Sequence, residues 1–541
     1  MAIVSLYQNK RLLIIDDMPE MRSSMRSQVA SLGMDQTNTV GTVRDALDLL
    51  KKNKYDIILC DYYLGGNTDG QQFLEYVRTR KIISRATLFI MITAEKGYES
   101  VVTAAECMPD DYLLKPFTAD GLKARIDRLL DKKVRLAEID KLQDLGRWQD
   151  IIAACDEIIA AKDKYLVDAM RVKGNALIMT NRFDEAADFY RRALQMRSMP
   201  WAKLGLAKAL QGNGDHEHAK ATLAEIIKET PRFLSAYDAL GRLHRDAGQV
   251  DDAIKVLDRA CEISPNALAR HRAIANIAEE AADFGRVERA MSTVVQKTRN
   301  SPLRDLGDYA KLGNALNELG DAGKAISVIE EAKVSFKDAT DTTMLSAVEA
   351  VAQHQAGNTE LAQQALARAM QGKHKNMSEA AMLAVAKACL VHGKQDEAEQ
   401  LLKHVVQNNP GQTVLHASIT HMVKTHGDPE RAEILVSSSN AEVIQLNNDA
   451  VRKGQAGDLN AAAAMLAEAA ERLPGNLQIV GNAAYALYVA VYSNGMDAAK
   501  LREAQRYQQL LLGKDRHHPK LADIADIVAK IQRKYSPAAG A

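Results

Sequence analysis

The chain has 541 residues, with 70 basic and 70 acidic side chains, so its formal net charge is zero. A DNA-binding output module normally carries a basic surplus, which is absent here, so nucleic acid is not expected as a partner. Five scattered cysteines without CxxC spacing indicate free thiols in a reducing compartment. The chain start lacks signal-peptide order, and no apolar run is long enough to cross a bilayer. We therefore expect a cytoplasmic protein without membrane insertion.

Four short apolar runs near the start of the chain read as buried strands, and each ends in polar residues. Because the carboxyl ends of parallel strands form the ligand-binding edge of an open sheet, these polar residues should converge on one pocket. The runs and the residues that follow them are Leu12–Ile15 with Asp16 and Asp17, 57–60 with Asp61, 88–92 with Thr93, and 112–114 with Lys115.

The residue types in this pocket predict phosphoryl transfer to an aspartate. Clustered carboxylates repel one another unless a cation offsets their charge, and oxygen ligands with open positions suit Mg²⁺. A metal ion and an ammonium group would neutralise the phosphoryl oxygens while a carboxylate attacks in line. We assign Asp61 as the nucleophile, Asp16 and Asp17 as metal carriers, Lys115 as the counter-charge and Thr93 as a hydrogen-bond donor.

Residues 10–132 resemble the receiver domain of bacterial two-component response regulators. The matching segments are LLIIDD, ILCDYYLGGNTDG, LFIMITA and DDYLLKPF. The resemblance implies a five-stranded, flavodoxin-like parallel α/β sheet, Mg²⁺ dependence, and phosphorylation of Asp61 by a sensor histidine kinase. It also implies that Thr93 and Tyr112 act as switch residues and that the backbone carbonyl of Tyr63 is a metal ligand. An aromatic residue at position 112 is also typical of plain packing.

The loop after Asp61 departs from the family pattern. Where a Met-Pro pair usually precedes the loop glycine, residues 64–70 read LGGNTDG, and this loop is about one residue longer than is usual. The two added glycines predict a more mobile loop. The bulky Tyr63 predicts hindered access of the hydrolytic water and a longer-lived phosphorylated state.

From about residue 133 the composition shifts to strong helix formers, and a Gly–Ala–Pro pattern repeats at intervals of about 34 residues. Each copy has Gly or Asn in a turn, a small residue five positions later and often Pro after that. This pattern resembles tetratricopeptide repeats, best over residues 237–265, although another α-solenoid or a generic helical bundle remains an alternative. The anchor residues of the ten copies are alanines except in the first copy, where Ile occupies the position; they are 151, 186, 219, 253, 290, 325, 362, 398, 432 and 462, with Gly285 assigned to the turn before Ala290.

These features predict three parts of the chain. Residues 1–133 form the phosphoacceptor domain, residues 134–495 an all-α solenoid of about ten helix pairs, and residues 496–541 capping helices with a disordered tail. Residues 122–141 have helical periodicity without a Gly- or Pro-rich linker. This pattern predicts that the last receiver helix runs almost directly into the first repeat.

The combined prediction is a response regulator whose output is protein–protein interaction through the groove of the repeats. Beyond phosphotransfer onto itself and autodephosphorylation, we expect no enzyme activity. A homodimer through the face at residues 97–131 is compatible with the resemblance. Two alternatives are a phosphorelay or phosphate-sink component, and a constitutive scaffold with a vestigial receiver. The second predicts loss of Asp17, Asp61 or Lys115, and all three are present.

Overall fold

The computed structural model describes residues 7, 9–65, 68–94, 109–371, 377–515 and 518–535. The chain divides into two compact units, Met1–Asp308 and Tyr309–Ala541. The first unit begins with a parallel sheet and continues as helix pairs, and the described part of the second unit is helical. The expected disordered tail at 536–541 lies outside the described residues.

The first unit opens with a five-stranded parallel sheet. Its strands are β1 Leu12–Ile15, β2 Thr37–Val40, β3 Ile57–Asp61, β4 Leu88–Thr93 and β5 Asp111–Leu114. Their spatial order is β2-β1-β3-β4-β5, and every pairing is parallel. This is the doubly wound, flavodoxin-like order, so the predicted fold is confirmed. The four predicted strand runs match β1, β3, β4 and β5 to within one residue at their ends.

Helices cover both faces of the sheet, which explains why the central strands are buried throughout and apolar up to their polar last residues, Asp61 and Thr93. The described helices of this domain are α1 Pro19–Ser31, α2 Val43–Lys52, α3 Gly70–Thr79 and α4 Ala119–Asp144. On one face, Leu13 and Phe89 pack among the buried residues of α2 and α3. On the other face, Ile14 and Ile90 pack among those of α1 and α4. Two apolar layers therefore hold the polar carboxyl edge of the sheet in place.

Helix α4 joins the sheet domain to the helix pairs without interruption. It has 26 residues, and at 1.5 Å per residue it spans about 39 Å. Leu122 and Ile126 in its first half lie in the core of the sheet domain, while Leu136 and Ile139 in its second half lie in the core of the first helix pairs. The expected direct helical join is confirmed, and the predicted domain boundary at residue 133 falls inside this helix.

The rest of the first unit consists of antiparallel helix pairs whose small anchor residues are buried. Ala186, Ala219 and Ala253 are each fully buried where the two helices of a pair meet. The turns before them are made by residues with positive φ, among them Gly214 and Gly248, as a left-handed turn requires. The helices are α5 Trp148–Ala160, α6 Leu166–Met179, α7 Phe183–Met196, α8 Pro200–Gly212, α9 His216–Glu229, α10 Leu234–Asp246, α11 Val250–Ile263, α12 Leu268–Glu280 and α13 Phe284–Thr298.

One predicted turn residue is wrong. Gly285 was assigned to the turn before Ala290, but it is the second residue of α13, and the positive φ belongs to Ala282. The side chain of Asp283 caps the helix by accepting a hydrogen bond from the backbone N–H of Arg286. The sequence pattern failed here because an alanine occupies the left-handed position at which glycine is normally expected.

The second unit continues with helix pairs and contains one fused helix. Helix α21 has 27 residues and passes through two successive repeat positions without a turn between them. The missing turn explains why Ala432 and Ala462 are closer together in sequence than the other anchors. The helices are α14 Leu306–Glu318, α15 Ala322–Ser335, α16 Thr343–Gln355, α17 Thr359–Met370, α18 Glu379–Val391, α19 Gln395–Asn408, α20 Thr413–His426, α21 Pro429–Gln455, α22 Leu459–Arg472, α23 Leu477–Asn494, α24 Ala498–Lys514 and α25 Lys520–Tyr535, of which α14 begins at the boundary of the two units.

The described cysteines agree with the expectation of free thiols. Cys60, Cys155, Cys261 and Cys389 are buried free thiols, and Cys107 lies outside the described residues. Within the part of the chain that the structure describes, the helices are all too short or too polar to span a bilayer.

A pair of glycine substitutions tests the close packing of the repeats. A Cβ added at Gly205 would overlap the buried ring of Tyr190, whereas one at Gly454 would make only ordinary contacts, with the Cβ of Ala462 at 3.8 Å and the Cδ2 of Leu459 at 4.0 Å. Gly205→Ala should therefore destabilise its unit by about 1–3 kcal/mol through overpacking. Gly454→Ala should stabilise its unit by about 0.5–1 kcal/mol, because alanine restricts the unfolded chain and favours the helix. Urea unfolding followed by circular dichroism measures both; an equal effect of the two changes would contradict the packing described.

Candidate functional site

The carboxyl edge of the sheet brings an ammonium group between two carboxylates. The Lys115 Nζ lies 2.8 Å from Asp61 Oδ2 and 2.9 Å from Asp16 Oδ2. The side chain of Asp16 is completely buried, and those of Asp61 and Lys115 are 8% and 14% exposed. Asp16 follows β1, Asp61 ends β3 and Lys115 follows β5, so three separate strands build this contact. The predicted convergence of these residues is therefore what the structure shows.

Asp17 completes an acidic cluster that could hold a metal ion. One oxygen atom each of Asp16, Asp17 and Asp61 lies within 4.8 Å of the others. When all three carboxylates are ionised, the ammonium of Lys115 compensates only one of their charges. A divalent cation would balance the remainder, and three carboxylate oxygens with open positions suit the oxygen coordination of Mg²⁺. The residues present therefore fit this ion.

Backbone and side-chain contacts fix the orientation of the acidic residues after β1. The backbone N–H of Met18 donates to Asp16 Oδ1 at 2.9 Å. The guanidinium of Arg22, in the first turn of α1, donates to the backbone carbonyls of Asp16 at 2.7 Å and Asp17 at 3.0 Å. Arg22 was not identified from the sequence, because an arginine one helical turn after an acidic pair is ordinary on an exposed helix. We infer that it is a positioning residue.

The electrostatics of the site are those of a partly desolvated ion pair. Burial raises the pKa of Asp61, the hydrogen bond and charge of Lys115 oppose that rise, and the nearby charge of Asp16 adds to it. Burial alone would lower the pKa of Lys115, but its bonds to the two carboxylates outweigh burial and leave that pKa raised. The lysine therefore keeps its proton, and the carboxylate of Asp61 depends on it for its charge.

Thr93 and Tyr112 lie on β4 and β5, the two strands beyond Asp61 in the sheet. Thr93 is the last residue of β4; it is almost fully buried, and its carbonyl accepts the backbone N–H of Lys115 at 2.7 Å. The ring of Tyr112 packs against the apolar layer that contains α2 and α3. Its buried hydroxyl has no hydrogen-bond partner among the described residues, and burial raises its pKa to about 12.

The loop after Asp61 is tightly fitted to the acidic cluster. The side chain of Tyr63 is 53% exposed and stacks edge-on against Tyr62. Gly65 has φ +65°, and a Cβ added there would lie 2.9 Å from Asp17 Oδ2. The glycine in place of the usual proline is therefore required both by its left-handed backbone and by close contact with Asp17. Residues 66 and 67, on which part of the predicted loop mobility falls, lie outside the described residues.

Family models assign both parts of the first unit. A model of the response regulator receiver domain matches residues 12–127. Three tetratricopeptide repeat models match residues 136–198, 177–243 and 234–277. The class that the fold and the acidic edge define is therefore a receiver domain joined to helical repeats.

Known proteins are similar to the receiver part of the chain. The chain is 31% identical over 127 residues to chemotaxis protein CheY-3 of Vibrio cholerae serotype O1, covering 24% of this chain and 96% of that protein. It is 29% identical over 122 residues to chemotaxis protein CheY of Pseudomonas aeruginosa, covering 23% of this chain and 97% of that protein. A solved receiver domain, of the Francisella response regulator 1452, is 28% identical with a TM-score of 0.21, covering 23% of this chain and 99% of that one. The chain belongs to the response regulators, with a receiver followed by tetratricopeptide repeats.

Replacing Lys115 tests the charge balance of the pocket. Lys115→Met leaves Asp16 and Asp61 uncompensated, so the free energy of unfolding should fall by about 3 kcal/mol at neutral pH. Without the lysine the pKa of Asp61, already raised in the folded state, rises further. The folded variant then takes up a proton more readily than the unfolded chain, and the difference from wild type should shrink as the pH falls toward about 4.

The measurement is urea unfolding over that pH range, with Lys51→Met as control. Lys51 forms an exposed ion pair with Asp48, so its loss should change stability by less than about 1 kcal/mol. A Lys115→Met effect that stays constant with pH would show that the two carboxylates are not its cause.

Proposed function

We propose that this response regulator accepts a phosphoryl group on Asp61 from a sensor histidine kinase, in a Mg²⁺-dependent reaction, and that its repeats carry the output by binding protein. The observation that supports this most strongly is the ammonium of Lys115 within hydrogen-bonding distance of both Asp61 and Asp16, beside Asp17. This arrangement places a nucleophilic carboxylate, a cation for the phosphoryl oxygens and a group of carboxylates able to bind a metal ion in one small volume.

In the proposed reaction, one carboxylate oxygen of Asp61 attacks the phosphorus of the kinase phosphohistidine. The P–O bond forms as the P–N bond breaks, and the electron pair of the broken bond stays on the leaving histidine nitrogen. Lys115 moves its hydrogen bond from the carboxylate of Asp61 to a phosphoryl oxygen and neutralises the negative charge of that oxygen. A Mg²⁺ ion held by Asp16, Asp17, Asp61 and the backbone carbonyl of Tyr63 would supply further charge neutralisation.

The same geometry supports a switch through Thr93 and Tyr112. Thr93 ends the strand beside Asp61, where its hydroxyl can donate to a phosphoryl oxygen. Tyr112 precedes Lys115 by three residues on the next strand, and its ring is already packed inward. We propose that the phosphoryl group draws Thr93 toward Asp61 and that the space this leaves favours the inward position of Tyr112.

The output proposal is supported by the repeats and by their join to the receiver. Tetratricopeptide repeats present grooves that take peptides or helices of other proteins. The zero net charge gives no support to nucleic-acid binding. The alternative of a vestigial receiver is disfavoured, because the Lys115 ammonium lies within hydrogen-bonding distance of Asp16 and Asp61, and Asp17 belongs to the same acidic cluster. A homodimer through residues 97–131 stays a prediction, since residues 95–108 lie outside the described part of the chain.

Phosphoryl labelling tests the nucleophile. Incubation with a small acyl phosphate and Mg²⁺ should add one phosphoryl group per wild-type chain, and none to Asp61→Asn, because an amide oxygen is a far weaker nucleophile. Omission of Mg²⁺ should also abolish labelling. Intact-protein mass spectrometry measures the added group.

The matched control is Asp56→Asn, which changes an aspartate at the opposite end of β3 that pairs with Lys10. This variant should be labelled like wild type. Labelling of Asp61→Asn would show that another residue is the acceptor, and an unlabelled wild type would support the vestigial alternative.

A further inference from the structure

Two loops between repeats of the first unit contact the receiver next to its phosphoacceptor strand. The loops are residues 264–267, between α11 and α12, and residues 299–305, after α13. They meet the end of the loop that follows Asp61 and the start of α3. We call this contact the latch; its residues are Thr68, Asp69 and Gln72 of the receiver with Asn266, Ser301 and Leu303 of the repeats.

The polar part of the latch is a paired network. Thr68 Oγ1 donates to Ser301 Oγ at 2.6 Å, with both side chains buried. Asn266 Nδ2 donates to Asp69 Oδ2 at 3.1 Å, and the Asn266 carbonyl accepts from Gln72 Nε2 at 3.4 Å. The other oxygen of Asp69 caps α3 by accepting the backbone N–H of Gln72 at 2.8 Å. Movement of the receiver loop would therefore lengthen bonds that are already made.

An apolar contact accompanies these bonds. Leu303 is 5% exposed and belongs to the same apolar cluster as Phe73 and Val77 of α3. A rim ion pair joins Arg80 to Asp305 at 2.9 Å, but both side chains are largely exposed. The repeats thus contribute a side chain to the receiver core, which a flexible tether between domains would not do.

Described residues at the two ends of the loop after Asp61 pair with each other. The backbone N–H of Gly70 donates to the carbonyl of Tyr62 at 2.7 Å, and Tyr63 pairs with Asp69 as an antiparallel bridge. A Cβ added to Gly65 would lie 2.9 Å from Asp17 Oδ2, so the loop leaves no room for a side chain beside this carboxylate. Asp69, at the far end of the loop, bonds to the repeats. A displacement at the acidic cluster is therefore passed to the latch over a few residues.

We propose that phosphorylation of Asp61 weakens the latch and so releases the inter-repeat loops from the receiver; this inference rests on the proposed function. A phosphoryl group adds three oxygens between Asp61, Lys115 and a loop whose Gly65 has no room for a side chain beside Asp17. The loop ends that pair at Tyr63 and Asp69 then move outward, and the bonds of the latch lengthen. The receiver stays joined through α4, while Leu303 and its loop become accessible.

Linkage gives this proposal a reciprocal test. If phosphoryl occupancy weakens the latch, then breaking the latch must favour occupancy by the same factor. Wild type and variants are titrated with beryllofluoride and Mg²⁺, a phosphoryl mimic, and the bound fluorine signal is followed by NMR. Asn266→Ala should lower the half-saturating concentration by at least about fivefold. The exposed-pair variant Arg80→Ala should match wild type.

A matched asparagine controls for general effects on the repeats. Asn213 Nδ2 donates to Asp184 Oδ1 at 2.7 Å, an amide-to-carboxylate bond of the same kind away from the receiver. Asn213→Ala should bind beryllofluoride like wild type. In wild type, the mimic should also increase amide hydrogen exchange in residues 299–305 while leaving α8 unchanged. If Asn266→Ala fails to fold, Ser301→Ala removes the Thr68 bond and serves in its place.

Three results would overturn the inference, and they can be told apart. A bound fluorine signal in wild type, with unchanged exchange in residues 299–305 and unchanged affinity in the latch variants, means that the latch is a static contact. Tighter protection of those residues on binding would likewise contradict the proposed direction. Absence of any bound signal in wild type would refute the proposed function, and the inference would fall with it.

Discussion

The structure depends on one interaction, the ammonium of Lys115 held between the buried carboxylates of Asp16 and Asp61. Carboxylates this close and this desolvated repel one another, and a single lysine offsets only part of their charge. The cluster therefore favours a bound divalent cation, which would offset the remaining negative charge. Every strand that ends at this edge contributes either a charged side chain or a backbone hydrogen bond that positions a charged residue.

The second constraint is the way in which the receiver is attached. Helix α4 crosses from the receiver core into the core of the first repeats, and Lys132 reinforces the crossing by pairing with Asp168 at 2.5 Å. The latch adds a separate contact beside the phosphoacceptor loop. In the mechanism we propose, these two points of attachment, one stiff and one close to the site, allow a local change at Asp61 to alter how the repeats are presented.

Much of the fold and the site could be predicted, because local patterns carry them. Apolar runs ending in Asp, Thr and Lys identify the strands and their shared edge, and recurring Gly–Ala spacing identifies the helix pairs. The turn at Ala282 was missed because its residue type is atypical, and the fused helix α21 appeared only as a short interval. The roles of Arg22 and Asn266 could not be predicted, since they depend on contacts between segments that no local pattern encodes.

The central claim is that Asp16, Asp17 and Asp61 form an unbalanced acidic cluster that binds one Mg²⁺ ion. Calorimetric titration of wild type, Asp17→Asn and the control Asp35→Asn with Mg²⁺ tests it most directly, since Asp35 is exposed and remote from the cluster in sequence. The account predicts one site in wild type and in Asp35→Asn, and loss of at least about tenfold in affinity in Asp17→Asn. Equal binding by all three proteins would contradict it.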